Sequence, residues 1–265
     1  MKDLFYESEK DVNCGVYAEW QKEYEFGILH FHRAFEIAYM LSGNTVFTVE
    51  DEKFPAEADD ILFAHCYYTH MASHSPKHEK YVIIVPEFFS GGLHSMMKEE
   101  TLPACLDDKE FNKTLLPFIE KLVNCSETMS PIVLKGYVNI IFGSLIEHYT
   151  PVNVKPKSKN VTLIANILTY IDDHYASPLT IEATAAALGY NKSYFSRLFN
   201  QCIGTSFNNY LNFLRLDKFE ELQAASGDKS MTELAYECGF SSLATFYRAK
   251  KARADIRATK KKTNK

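Results

Sequence analysis

The chain has 265 residues, 46% apolar and 24% charged, a composition that buries cores and excludes disordered, collagenous and disulfide-scaffold classes. No apolar run approaches the roughly 18 residues of a membrane span, the start lacks a secretory h-region, and the six cysteines (14, 66, 105, 125, 202, 238) form no Cys-x-x-Cys pair, so a soluble cytoplasmic protein is expected. The net charge of −5 is uneven, with 12 Lys+Arg against 24 Asp+Glu through residue 154 and 17 against 10 after it, which suggests an acidic domain joined to a polyanion-binding one. Much of the basic excess lies in a Lys/Arg-rich tail from Lys250 to Lys265, so charge alone carries little and the motifs must decide.

From the N-terminus to about residue 100 the pattern is that of strands: Phe35–Leu41, Thr45–Val49, Ile61–Ala64 and Tyr81–Val85 alternate or run apolar between Ser42-Gly43-Asn44 and acidic turns. This predicts an all-β barrel or sandwich. Gly27, His30-Phe31-His32, Glu36 and Gly43 fall in this region, with His70 beyond a strand-turn-strand segment. In period-two geometry His30, His32 and Glu36 share one side of a strand. The His-x-His, Glu, His set resembles the motifs of the cupins, in whose metal-binding members such residues hold a divalent ion. The expected assignment is a polar effector pocket made by His30, His32, Glu36 and His70, with the same four as a less favoured metal set and no cofactor. His65, His74 and His78 lack ordered spacing and read as surface or loop residues.

Past residue 100 the spacing turns helical. Phe111, Leu115, Phe118, Ile119 and Leu122 recur at steps of three and four, and Pro131 opens a second apolar helix through Tyr149. These helices cap the barrel or pair across a two-fold axis, with Leu115, Phe118, Leu122 and Ile141 as candidate interface residues. Residues 151–159, with two prolines and three lysines, read as a linker between a 1–150 effector-binding and dimerisation domain and a 160–265 DNA-binding domain.

Behind the linker, Leu163, Ile167, Tyr170 and Ile171 line a helix. Thr180 caps Ile181–Leu188, Gly189-Tyr190-Asn191 turns the chain, and Lys192–Gln201 forms the second helix of a helix-turn-helix. The arrangement recurs fifty residues on. Ser230–Glu237, the Cys238-Gly239-Phe240 turn and Ser241–Lys251 match it, with Ala235 in the place of Ala185. The helix Ser206–Gln223 joins the units, with Phe207, Tyr210, Leu211, Leu214 and Leu222 facing inward.

Pro178–Ile181, Leu188-Gly189, Tyr194–Phe199, Gly204–Phe207, Arg215-Leu216, Cys238–Phe240 and Phe246–Arg248 make residues 160–251 resemble the AraC/XylS family of bacterial transcription regulators. The resemblance implies an α+β chain of two domains: an N-terminal cupin-like β-barrel with a helix pair, and a C-terminal all-α double helix-turn-helix. It also implies recognition helices in the major groove. The expected DNA-binding residues are Lys192, Ser193, Tyr194, Ser196 and Arg197, then Ser242, Leu243, Thr245, Tyr247 and Arg248, with Ala244 at a further matching position. Arg197 suits a guanine or a phosphate, and the apolar Leu243 and Ala244 leave most direct readout to the first unit.

The expected function is thus sequence-specific transcription regulation without enzymatic activity. The N-terminal domain would sense a small molecule, a sugar or related metabolite being the first choice, although the abundant Tyr and Phe suit aromatics and lipids equally. Partners would be double-stranded operator DNA, the effector, a second copy of the chain and RNA polymerase, with no membrane. The competing expectation is a metal-dependent cupin enzyme with a helical accessory domain. Two positions depart from the family pattern: Thr184 replaces an apolar residue, and Ala249–Arg257 lacks the usual large apolar residue, Gly and Pro. The second departure predicts a frayed last helix.

Overall fold

The computed structural model describes residues 5–7, 16–22, 28–73, 78–86, 89, 92–97, 99–155, 157–225 and 229–263. Cys14, Gly27 and His74 lie outside the described residues. The chain divides into two compact units, Met1–Val161 and Thr162–Lys265.

The first unit is built on two five-stranded sheets. One has the order β1 (Phe5–Tyr6), β3 (His30–Phe31), β8 (His70–Ala72), β5 (Asn44–Val49), β6 (Glu52–Glu57). The other runs β11 (Cys105–Leu106), β7 (Ile61–Ala64), β4 (Phe35–Ser42), β9 (Glu79–Val85), β2 (Tyr17–Lys22). A short ribbon pairs β10 (Glu100–Thr101) with β12 (Val152–Asn153). The expected barrel does not close among the described residues: β1 and β6 end one sheet, β2 and β11 the other. Strand periodicity fixes which face is buried; closure depends on edges that meet across long sequence separations, which periodicity does not encode.

Local chemistry explains the turns. Glu50 and Asp51 both take positive φ (47° and 68°) and close the β5–β6 hairpin between Val49 and Glu52, the backbone a two-residue loop demands. Asp59 (φ 70°) turns the chain from β6 toward β7 in the other sheet, and its amide donates to the Met40 carbonyl at 2.8 Å.

Ala38, Met40, Leu62, Ala64, Val82 and Ile84 from one sheet meet Phe47, Val49 and Ala56 from the other in a common core. The opposite face of the sheet, at Phe35 of β4, is covered by a helix from the segment that follows. With α1 at Leu93–Met96, α2 spans Lys109–Cys125 and α3 Pro131–His148; the Phe35 ring lies 6.0 Å from Phe142 of α3. Burial on both faces is why Ile37–Leu41 of β4 reads as an unbroken apolar run. Leu115, Leu122 and Ile141 are buried in this single chain, at 3% exposure or less. They therefore cannot form the expected partner interface; only Phe118 of that set is partly accessible. Asn112, fully buried, donates to the carbonyls of Asp59 (2.9 Å) and Leu106 (2.8 Å) and accepts from the Tyr149 hydroxyl (2.8 Å). Truncation to alanine would strand those groups, so Asn112→Ala should cost about 2–3 kcal/mol in chemical unfolding.

The start of the expected linker is bound, not free. Val152 and Asn153 pair with β10, the Val154 amide donates to the Glu99 carbonyl at 2.9 Å, and the Lys155 amide reaches the Tyr68 hydroxyl. β-branched Val152 and Val154 favour extended pairing over a flexible spacer.

The second unit is helical: α4 (Lys159–His174, its first residues preceding the unit boundary), α5 (Ile181–Ala187), α6 (Lys192–Ile203), α7 (Phe207–Ala225), α8 (Met231–Glu237) and α9 (Leu243–Thr263). A short helix followed by a glycine turn and a second helix occurs twice, in α5–α6 and α8–α9. Each helix start has a local cause. Thr180 accepts from the Ala183 amide (3.1 Å), Asn191 from Ser193 (2.8 Å), and Ser230 forms a full capping box with Glu233. The turns pass through Gly189 (φ 75°) and Gly239 (φ 87°), conformations that favour glycine.

Ala185 and Ala235 are buried where the paired helices cross. Thr184 is also fully buried, and its hydroxyl donates to the Thr180 carbonyl at 2.9 Å, which accounts for a polar residue in an apolar position. Along α7, Phe207, Tyr210 and Leu211 are buried as expected, while Leu214 and Leu222 are half-buried and Leu216 and Phe219 lie deeper. The last helix is continuous to Thr263. Its unusual segment is anchored by Arg253, whose guanidinium binds Asp217 and Glu220 of α7, each at 2.5 Å.

Candidate functional site

Two constellations bear on function, one in each unit. In the second unit, Phe195, Leu198 and Phe199 fix one face of α6 in the core. The opposite face presents Lys192, Ser193, Tyr194 and Arg197 to solvent, with Ser196 half-buried at its margin. Asn200 is exposed one turn on, a position the sequence reading did not single out. Tyr190 and Tyr194 stack with ring centroids 6.1 Å apart beside this face. Lys192 is ion-paired with Glu182 of α5, so part of its charge is spent within the protein.

The start of α9 differs. Ser242 uses its hydroxyl to accept the Thr245 amide (3.2 Å), and Leu243 packs against the Leu216–Phe219–Phe246 core. Arg248 folds back to donate to the Ala244 carbonyl (3.3 Å) and the Thr245 hydroxyl (3.2 Å). Of the second set, Tyr247, Arg248 and Ala244 are exposed, while Ser242, Leu243 and Thr245 are half-buried and partly committed to the helix start.

In the first unit the structure brings His30, His32, Glu36 and His70 together, their ligand-capable atoms all within 4.8 Å of one another. The shared strand parity is not the reason. His30 and His70 are paired residues of neighbouring strands β3 and β8, the chain crosses sheets after Phe31, and Glu36 enters from β4 of the opposite sheet. His32 and His70 are at most 1% exposed and Glu36 9%. Each imidazole is oriented by a nearby carbonyl through Nδ1: His30 by Ile28 (2.8 Å), His32 by Ala34 (2.9 Å), His70 by Tyr68 (2.9 Å). His32 Nε2 is 3.0 Å from Glu36 Oε2, and His70 Nε2 is 3.4 Å from the same oxygen without forming a hydrogen bond. Burial raises the Glu36 carboxyl's pKa, yet the His32 and His70 imidazoles outweigh it and hold the group well below the usual carboxylate range. Burial, then the charge of His70, pushes His30 down.

His65 and His78 are buried, not surface residues. The His65 ring nitrogens bind the Cys66 (3.0 Å) and Met97 (2.9 Å) carbonyls, partners that local spacing does not reveal. His65 also lines a mainly apolar cavity of about 250 Å³ with Val49, Phe54, Phe63, Tyr68 and Leu102, bordered by Val152, Asn153 and Lys155. None of the four clustered residues lines it. No described helix is long and apolar enough to cross a membrane.

A family model described as a helix-turn-helix domain matches residues 184–261. The chain is 35% identical over 104 residues to the uncharacterised HTH-type transcriptional regulator YijO of Escherichia coli K12, a match covering 38% of this chain and 36% of that protein. It is 22% identical over 234 residues to the uncharacterised HTH-type transcriptional regulator YfiF of Bacillus subtilis 168, covering 81% and 72%. Among solved structures it is similar to the AraC-like transcriptional activator CuxR, at 13% identity and a TM-score of 0.45, covering 77% and 72%. The match thus spans about a third of YijO's own length. Residues 184–261, within the C-terminal unit, thus match a helix-turn-helix domain, and the chain is similar there to HTH-type transcriptional regulators.

Proposed function

We propose that this chain is a sequence-specific DNA-binding transcription regulator that reads operator DNA with α6 and the start of α9, under control of a small molecule held by the N-terminal unit. The observation that carries the reading is the division of α6 into a face locked in the core and an exposed face of Lys192, Ser193, Tyr194 and Arg197. That is what a helix lying in a major groove requires. The commitment of Ser242, Leu243 and Arg248 to intramolecular contacts leaves the α5–α6 pair as the main reader of bases, with the α8–α9 pair positioned on the backbone.

Arg197→Ala tests this assignment. With the operator obtained by selecting bound duplexes from random sequence, its loss should cost about 1–3 kcal/mol and relax specificity at one base position. Unchanged affinity and specificity would remove Arg197 from the interface, and no sequence preference at all in the wild-type chain would remove the regulator reading.

The effector reading rests on the apolar cavity beside β12. A lining of Val49, Phe54, Phe63 and Leu102 favours a ligand with an apolar body over a sugar. Because Val152, Asn153 and Lys155 border this cavity, an occupant would bear on the stretch that leads to the DNA-binding unit, a route for coupling the two sites.

Homodimerisation is assigned to α3. Ile132, Gly136, Ile140 and Gly143 recur at helical spacing; Ile132 is 81% and Ile140 45% exposed, and a Cβ at either glycine would meet open space. Such a stripe lets two helices approach closely, and a dimer would multiply operator affinity through effective concentration. The enzyme alternative needs an open position for substrate, which the burial of His32 and His70 disfavours.

A further inference from the structure

We propose that the back half of α9, from Lys250 to Lys262, is a phosphate-binding rail that supplies most of the chain's salt-dependent affinity for duplex DNA, apart from the residues that read bases. The rail rests on the DNA-binding reading above and adds to it a second site, whose ligand is the sugar-phosphate backbone of any sequence.

Charge balance requires such an element. From Thr162 to Ala249 the second unit holds six Lys and Arg against nine Asp and Glu, so the part that carries both helix pairs is net acidic. Most of those six cations are also engaged within the protein. Lys192, Lys218 and Lys229 are ion-paired with Glu182, Glu221 and Glu237. Arg215 is buried on the Tyr175 and Ser177 carbonyls, and Arg248 donates to two oxygens of its own helix. Arg197 is the sixth, and it is exposed. One such arginine does not offset the repulsion between an acidic surface and a polymer with one negative charge per roughly 1.7 Å of duplex. From Lys250 to Lys265 the balance reverses, with eight Lys and Arg against one Asp.

The backbone sets these charges on the same helix that enters the groove. α6 stops after 12 residues, where Gly204 turns left-handed at φ 71°. α9 runs for 21 residues with neither Gly nor Pro, and alanines at 244, 249, 252, 254 and 258 favour its continuation. At 1.5 Å per residue that is roughly 30 Å, whereas the major groove is about 12 Å wide. A helix whose first turns enter the groove therefore carries its later turns onto the phosphates of the groove wall, as the end of a homeodomain's recognition helix does. Lys250 and Lys251 are exposed, and Lys251 follows Tyr247 by one turn on the same face. Arg253 is held by Asp217 and Glu220, which fixes α9 on α7 just ahead of Arg257 and Lys260–Lys262.

Beyond Arg253 the sequence has little to pack. Ile256 is the only large apolar residue between Asp255 and Thr263, so the segment has no apolar stripe to bury. Arg257 stands three and four residues before Lys260 and Lys261, a like-charge spacing that weakens an isolated helix. Cations suit the last turn of a helix, but that accounts for the end of the run and not for Lys250, Lys251 and Arg257. A polyanion relieves the repulsion of the whole run, and phosphates are what a duplex presents regardless of sequence.

The test measures binding of the full chain to its selected operator and to a random duplex of equal length over a range of KCl concentrations. Each phosphate contact contributes roughly 0.9 to the slope of log K against log salt. Lys260→Gln, Lys261→Gln and Lys262→Gln combined should lower that slope by about 2–3 and weaken both duplexes by about 10-fold or more at low salt, with the ratio between them unchanged. Arginine at the same three positions should keep the wild-type slope, as should Lys229→Gln, at a lysine paired with Glu237. Glutamine is as good a helix former as lysine, and circular dichroism compares the helix content of each variant with wild type. A slope unchanged in the triple glutamine variant overturns the rail, as does a loss confined to one base position of the operator. Lysine-dependent binding to vesicles of anionic phospholipid, with the duplex slope unmoved, would assign the helix to a membrane surface and also overturn it. Sequence preference in wild type with an unmoved slope removes the rail alone, whereas a lowered slope without any sequence preference removes the operator reading alone.

Discussion

Gly239→Ala should destabilise the C-terminal unit by about 3 kcal/mol or more, the larger part from collision and the rest from backbone strain. At φ 87° a non-glycine residue already carries a cost of about 1–3 kcal/mol. A Cβ there would also stand 2.7 Å from two carbonyl oxygens, those of Tyr175 and Ala176. These oxygens have little freedom to retreat. Arg215 of α7, itself buried, donates to the Tyr175 carbonyl at 2.7 Å and to the Ser177 carbonyl at 2.9 Å, holding the loop between α4 and α5 against the second turn. Gly189 supplies the control. It occupies the equivalent turn of the α5–α6 pair at φ 75°, yet an added Cβ meets nothing within 4 Å. Gly189→Ala should therefore cost only the conformational share, about 1 kcal/mol. Helix content followed by circular dichroism during urea unfolding checks both. Similar losses for the two variants would show that the close approach at Gly239 relaxes at no cost.

The same contrast explains how much of the molecule was legible in the sequence. The helical unit was readable because its signals are local. Thr180 and Ser230 cap helices within three residues of themselves, glycine marks each turn, and Phe195, Leu198 and Phe199 repeat at helical spacing. The strands of the first unit were readable for the same reason, since β4, β5, β7 and β9 match apolar runs within a residue or two. Their assembly was not. Two sheets instead of a barrel follow from pairings such as His30 with His70, forty residues apart, for which no local pattern exists.

Buried polar residues mark the boundary of legibility most sharply. His65, Asn112 and Arg253 look like surface residues in sequence, because Met97, Asp59 and Asp217, which hold them, lie far along the chain. The cluster at His30 shows a further case. Period-two counting joined His30, His32 and Glu36 on one strand, whereas the chain changes sheets between them and proximity arises across the core. Nor does spacing reveal that Val152 and Asn153 bind β10, which turns the front of an expected spacer into part of the N-terminal unit.

Arg253 gives the second large effect expected. Its guanidinium and the Asp217 carboxylate are each less than a tenth exposed, and they meet at 2.5 Å with Glu220 on the outer side. Beyond the apolar contacts of Phe246 and Ala249 with Leu216 and Phe219, this chain ties α9 to α7 with an ion pair. Removing one partner of a buried pair is worse than removing both, since the survivor stays in the low-dielectric interior. Arg253→Ala should accordingly cost about 3–5 kcal/mol, while Arg253→Met combined with Asp217→Leu should recover most of that loss. Glu220→Gln, at a carboxylate 55% exposed, should stay within about 0.5 kcal/mol of wild type. The single tryptophan, Trp20, lies in the N-terminal unit. Its fluorescence therefore reports on that unit, while circular dichroism is weighted toward the helices of the other. Arg253→Ala should move the circular dichroism transition to lower urea and leave the fluorescence transition in place. Equal stability of Arg253→Ala and wild type in that assay would show that the end of α9 is held by its apolar contacts, with the ion pair dispensable.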